Sequence, residues 1–156
     1  MKWEIEMNIY ERIKAEGLEV RTFYDPQWAF ETTSRIGDLL FVSGHTPTLD
    51  GVPQYKGITG REVDVETARK AALLCLENCL GSMQRALGDL KRVKRIVKLN
   101  GFVASAHGFV EQARVMNAVS EKLNAIFGSK HARAALGVVA LPGNVPVEIE
   151  MIVEVE

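Results

Sequence analysis

The most regular hydrophobic pattern in the chain is helical. Apolar residues recur at Val65, Ala68, Ala72, Cys75, Cys79, Met83 and Leu87, steps of three and four that place them on one stripe of a helix. Asp64 stands before the run as an N-cap, Glu66 sits in the first turn where the helix dipole favours an acid, and Gly88 supplies the stop. A second stripe (Phe109, Ala113, Met116, Leu123, Phe127) runs through HGFVEQARVMNAVSEKLNAIFG, with Gly128 past its end. A shorter helix is expected over residues 4–16, stopped by Gly17.

The remaining apolar runs read as strands. Leu39 to Val42 in GDLLFVSGHTP is one, closed by Gly44 and Pro47. RVKRIVKLNGFVAS is rich in β-branched residues, and Gly101 within it marks a bulge or bend. Arg21 to Tyr24 is a candidate first strand ahead of a turn at Asp25-Pro26, and LDGVPQYKGITGRE reads as a loop or short hairpin. Near the end, Arg133–Leu141 and Val145–Val155 read as a hydrophobic hairpin broken by Leu141-Pro142-Gly143-Asn144. In the last of these Val147, Ile149, Met151, Val153 and Val155 alternate with Glu148, Glu150 and Glu154, the pattern of a half-buried strand. Ile152 breaks the polar row, so part of that face is expected to be covered.

Strands, helix, strand, helix and two strands, with no repeat or linker, predict one α+β domain over residues 1–156, its N-terminal helix an extension at about 1–20. Two helices cover one face of a sheet. The strands are too apolar for the other face to be wholly solvated, which predicts an oligomer.

Composition narrows the function classes. The 156 residues carry 19 basic and 20 acidic side chains, a formal net charge of -1, so the chain has no bulk attraction for nucleic acid or an anionic membrane. No apolar run approaches the roughly 20 residues of a membrane helix, and the charged start MKWEIEMNIYERIKAEG does not resemble a signal peptide, so a cytoplasmic location is expected. Cys75 and Cys79 lie four apart on one helical face, too far for an unstrained disulfide and too few for a zinc site, and read as small core residues. His45, His107 and His131 are scattered without ligand spacing, so no metal is expected. Phosphate-cradling glycine loops, H-E-x-x-H and G-x-S-x-G are absent. A Ser43–His45 pair remains allowed, because residues i and i+2 point the same way on a strand.

Arg133, at the head of an apolar strand, is the sharper signal. A guanidinium is always charged, and burying one without an anion is costly. Two partners satisfy it: Glu148 or Glu150 on the neighbouring strand as an internal ion pair, or the carboxylate of a ligand.

The stretch HARAALGVVALPGNVPVEIEMIVEV around this arginine resembles the signature of the RidA/YjgF family, in which an alanine-arginine pair opens a strand, a Leu-Pro turn follows and a Val-Glu-Ile-Glu strand closes the fold. GDLLFVSG resembles the family's earlier strand ending in Ser-Gly, and VMNAVSEKLNAIFG its second helix. The likeness spans roughly residues 28–156, and DLKRVKRIVKLNGFVASAHGF and HARAALGV resemble a longer, atypical branch. It implies a mixed sheet with two helices on one face, similar to chorismate mutase of the bacillus type. It also implies a homotrimer whose sheets form a central β-barrel, with clefts between subunits.

The implied activity is hydrolysis of reactive 2-enamine and 2-imine acids, such as 2-aminoacrylate, to 2-oxo acids and ammonia without metal or organic cofactor. By position, Arg133 matches the residue that clamps the substrate carboxylate and Glu148 the one that positions water. Ser43 and Gly44 match the strand end lining the cleft, and Asn117 the helix asparagine near it. The chain departs from the pattern with Phe30 for a frequent Tyr, Ala135 for a frequent Cys and His131 for a frequent Pro. Two rival functions remain, a non-catalytic binding or regulatory protein for 2-oxo acids and a ribonuclease or translation inhibitor. The near-zero net charge and missing basic patch speak against the second.

Overall fold

The structure, a computed structural model, describes residues 6–156. The elements are α1 (Ile9–Ala15), β1 (Thr33–Ile36), β2 (Leu39–His45), β3 (Thr48–Leu49), β4 (Val52–Pro53), α2 (Val65–Leu87), β5 (Val93–Ala104), α3 (Gln112–Phe127), β6 (Ala132–Val138) and β7 (Val147–Val155). The main sheet has the order β1-β2-β7-β5-β6, and β3 and β4 form a separate small hairpin. β6 runs parallel to β5, while the other neighbours in the main sheet are antiparallel. This is the expected α+β arrangement of a mixed sheet with helices on one face.

α2 forms as its pattern predicts. The Asp64 carboxylate accepts the Thr67 amide at the start, and Gly88 ends the helix with φ 78°, a conformation a side chain would strain. Ala68, Ala72, Cys75, Cys79, Met83 and Leu87 are buried along it, and both cysteines are free thiols. α3 starts later than the sequence suggests. Ala106 to Phe109 close a turn through Gly108 at φ 81°, and the buried stripe runs through Val115, Met116, Val119, Leu123 and Ile126, leaving Ala113 exposed. Of the helix expected over residues 4–16, the described part is Ile9–Ala15, capped by Asn8 and Glu11; residues 1–5 lie outside the described chain.

Three expectations are corrected. Arg21 to Tyr24 is not a strand: the Arg21 amide bonds to the Glu77 carbonyl and its guanidinium to the Glu77 carboxylate, so this segment lies along α2. Gly81 permits that approach, because a Cβ there would overlap the Arg21 carbonyl. Gly101 marks no bulge; the register of β5 against β7 breaks near Val93–Arg95 and Ile96–Lys98, and Gly101 instead clears space for Met116 of α3. Finally, β6 and β7 are not a hairpin. β5 lies between them, because β6 leaves α3 as the return strand of a β-α-β unit and pairs parallel to β5.

The register divides the sheet cleanly. Val147, Ile149, Met151, Val153 and Val155 of β7 face the helices with Leu99 and Val103 of β5. The opposite face carries Phe41, Ile152, Phe102 and Leu136, with Ile36 at the β1 edge. Ile36 is 69%, Leu136 50% and Phe41 42% exposed, a row of large apolar groups on a face no helix covers.

Candidate functional site

Arg133 stands on β6 opposite Leu99, in the residue set of that strand that faces α3. Its Nη1 donates to Asn117 Oδ1 at 2.8 Å and to Ser120 Oγ at 3.2 Å. Asn117 and Ser120 are one turn apart on α3, so both reach the same guanidinium nitrogen. His131 Nε2 lies 3.0 Å from the same Ser120 hydroxyl. Burial first, and the Arg133 charge second, hold the His131 pKa below its ordinary value, so the imidazole is neutral at pH 7. Among the described residues, Arg133 Nε and Nη2 have no hydrogen-bond partner and no carboxylate lies within ion-pair distance. The internal ion pair with Glu148 or Glu150 is therefore not formed. Glu150 accepts instead from Asn100, at 3.1 Å.

Glu148 belongs to the other face. It pairs with Phe102 of β5 and is one position out of phase with the helix-facing Val147 and Ile149 on either side of it. A Cβ at Gly44 would overlap its carboxylate, so the carboxylate lies against the bare backbone of β2 at the point where the β2–β7 register shifts. Burial, and secondarily Glu150, raise the Glu148 pKa above its ordinary value, favouring the protonated form more than in a solvated glutamate.

Beside Gly44 opens a pocket of about 160 Å³, lined among others by Phe23, Trp28, Phe30, Thr32 and Asn78. Phe30 stacks on Trp28, centroids 5.4 Å apart and rings 7° from parallel, and Phe23 meets Trp28 edge-on at 5.8 Å. Gly44 thus lies between the Glu148 carboxylate and this pocket.

The sequence-chosen residues fall into two groups in one chain. Arg133, Asn117 and Ala135 gather on the β6–α3 side; Phe30, Ser43, Gly44 and Glu148 gather around the β2–β7 notch. Arg133 and Glu148 sit on opposite faces of the sheet, on strands separated by β5. The Ser43–His45 pair does not form. Ser43 Oγ donates to the Glu31 carbonyl at 2.6 Å, while His45 Nδ1 meets the Ser43 carbonyl at 2.6 Å and its Nε2 meets Ser82 Oγ at 2.7 Å. Among the described residues no group of three or more His, Cys, Asp or Glu side chains is placed to hold a metal. Sequence reasoning missed Ser120, whose signal was its spacing of three from Asn117, and Trp28, whose signal was its place beside Phe23 and Phe30.

Comparison with known proteins bears on this arrangement. The profile of the family described as Endoribonuclease L-PSP matches residues 24–155. Protein TCP17 of Trypanosoma cruzi is 42% identical over 121 residues, 76% of this chain and 76% of its own length. The crystal structure of Atu1372 from Agrobacterium tumefaciens, a protein of unknown function, is similar at 42% identity and TM-score 0.85, covering 95% of this chain and 93% of that one. A putative endoribonuclease from Shewanella oneidensis is similar at 26% identity and TM-score 0.88, covering 96% of this chain and 100% of that one.

Proposed function

Because the chain belongs to the Endoribonuclease L-PSP family, the RidA/YjgF family, we propose that it hydrolyses 2-imino acids and their enamine tautomers to 2-oxo acids and ammonia, at sites shared between the subunits of a homotrimer. The observation that carries the reading is the state of Arg133. Nη1 is fixed by Asn117 and Ser120, while the Nε–Nη2 edge, two parallel donors, meets no carboxylate among the described residues. That edge matches the two oxygens of a ligand carboxylate. Sharing between copies is supported by the placement of Glu148 on the opposite sheet face from Arg133, since within one chain the two side chains point away from each other. The apolar row of Ile36, Phe41 and Leu136 supplies a surface for such packing.

The chemistry asks little of the protein. Arg133 holds the carboxylate. Glu148 accepts a proton from water as the water oxygen bonds to the carbon of the protonated imine and the C=N π pair passes to nitrogen, giving a neutral carbinolamine. Glu148 then gives its proton to that nitrogen, the C–N bond breaks, and the departing ammonia takes the hydroxyl proton and leaves as ammonium while the carbon becomes a carbonyl. The raised pKa of Glu148 suits a group that must both take and give a proton. Water supplies the oxygen, so no oxidant or reductant is needed. Neither Ala135 nor Phe30 has a step to perform.

The test is to generate 2-aminoacrylate or 2-iminobutyrate in situ with a pyridoxal-phosphate enzyme and follow 2-oxo acid formation with and without the protein. Acceleration is expected. Binding of 2-oxobutyrate without acceleration would replace the hydrolase by a binding protein, and salt-dependent RNA binding without either would favour the nucleic-acid reading.

A further inference from the structure

The pocket beside Gly44 has no part in the hydrolysis just described, yet it shares a wall with it. Gly44 touches the Glu148 carboxylate on one side and lines the pocket on the other. A reacting carbon held near Glu148 is separated from this opening only by Gly44, which bears no side chain. One side of the opening is built by residues of the segment from Arg21 to Thr32, which lies along α2 and the end of β2.

Three properties define what the pocket takes. Its volume of about 160 Å³ is close to the roughly 150 Å³ of a protein cavity that accommodates benzene. Its walls include three aromatic rings, with Trp28 stacked on Phe30 and met edge-on by Phe23, which offer a ring both stacking and edge contacts. Several of its polar groups are already engaged. The Arg21 charge is engaged by Glu77 and Glu19. His45 is engaged at both ring nitrogens. Asn78 uses Nδ2 on the Thr46 and Thr48 carbonyls, at 3.1 and 2.9 Å, which fixes its amide and leaves Oδ1 without a partner among the described residues. Thr32 is 3% exposed and its hydroxyl has no hydrogen-bond partner among the described residues. A buried hydroxyl in this state is costly unless something enters to bond it.

We propose that this pocket is the side-chain subsite, and that it selects 2-imino acids bearing an aromatic side chain, the ring against Trp28 and Phe23 and a ring substituent such as a phenol or indole N–H within reach of Thr32 and Asn78. The assignment rests on the hydrolase reading above and adds to it the substrate class. A small side chain such as methyl leaves the pocket unfilled; an aryl group fills it.

The experiment compares imines generated in situ by an amino-acid oxidase from alanine, leucine, phenylalanine and tyrosine, with trapping of the surviving imine by semicarbazide. It is paired with calorimetric titrations of pyruvate and phenylpyruvate. For the unmodified protein, kcat/KM for the aryl imines is expected to exceed that for the alanine-derived imine on the order of tenfold or more, the scale of discrimination a filled apolar pocket provides. Phenylpyruvate should bind correspondingly more tightly than pyruvate. In Trp28→Ala the ratio of aryl to methyl kcat/KM should fall by about the same factor. Equal handling of methyl and aryl imines, or an aryl preference that Trp28→Ala leaves intact, overturns the subsite. Those outcomes leave hydrolysis of the small imine standing, so they separate from failure of the hydrolase reading, in which no imine is consumed whether or not an oxo acid binds.

Discussion

Replacing Arg133 by Ala separates a ligand-binding arginine from a structural one. In the free protein the side chain is exposed and makes two hydrogen bonds, to Asn117 and Ser120, with no carboxylate partner. Losing surface hydrogen bonds of this kind costs about 1 kcal/mol or less. For a domain of this size that is a shift of roughly 2–4 °C in Tm. Ligand binding should respond far more. A charge-assisted bond is worth roughly 1.5–3 kcal/mol, so affinity for 2-oxobutyrate should fall about ten- to a hundredfold or more. Lys at the same position keeps the charge but loses the Nε–Nη2 fork, and should rescue poorly. Thermal melts and 2-oxobutyrate titrations on the same protein decide the matter. A large fall in Tm, of the size expected when a buried ion pair loses one partner at about 3–5 kcal/mol, with affinity unchanged would refute the reasoning and make Arg133 structural.

Gly44→Ala puts a methyl where the Glu148 carboxylate lies; kcat should fall on the order of a hundredfold through displacement of that carboxylate, with far-ultraviolet circular dichroism retained, and an unchanged kcat would remove Glu148 from the mechanism. Burial lowers the pKa of both His45 and His131, so the unfolded chain binds more protons than the folded one just below about pH 6.5. Stability should therefore decline as pH drops from about 6.5 toward the folded-state values. This is best followed as Tm in a Glu148→Gln background, because that carboxylate, with its raised pKa, acts in the opposite sense; a flat profile there would contradict the assigned burial. Exhaustive chelation should leave imine hydrolysis intact, and loss of activity restored by zinc or manganese would show that a metal takes part.

What the sequence disclosed depended on whether the signal was local. α2 was readable almost residue by residue, because its cap, its three-and-four stripe and its closing Gly88 all lie within one continuous stretch. The alternation of β7 was equally plain, and so was the apolar surplus that now appears as the uncovered row of Phe41, Ile36 and Leu136. Pairing was not readable. Two apolar runs joined at Leu141 to Asn144 have the signature of a hairpin, and nothing within them reveals that β5, some thirty residues earlier, lies between them. β1 was missed because TSRI is a short, polar edge strand, whereas Arg21 to Tyr24 looked like a strand until its contacts with Glu77 and the bare backbone at Gly81 drew it along α2. The same limit applies to the site. Arg133, Glu148 and Asn117 could be chosen by residue type and motif, but their division between two sheet faces follows from the register of three strands, which no window of sequence encodes.

That division is the center of the account, and mixing two damaged chains tests it most directly. Arg133→Ala and Glu148→Gln should each be nearly inactive alone. If every site takes its arginine from one subunit and its glutamate from the next, unfolding and refolding the two together in equal amounts creates sites with both residues intact. In a cyclic trimer assembled at random, about a quarter of the sites carry Arg133 from one chain and Glu148 from its neighbour. Imine hydrolysis should then return to about a quarter of the unmodified rate, together with a trimer mass by light scattering. A mixture as inactive as its components, although properly co-assembled, would contradict the shared site.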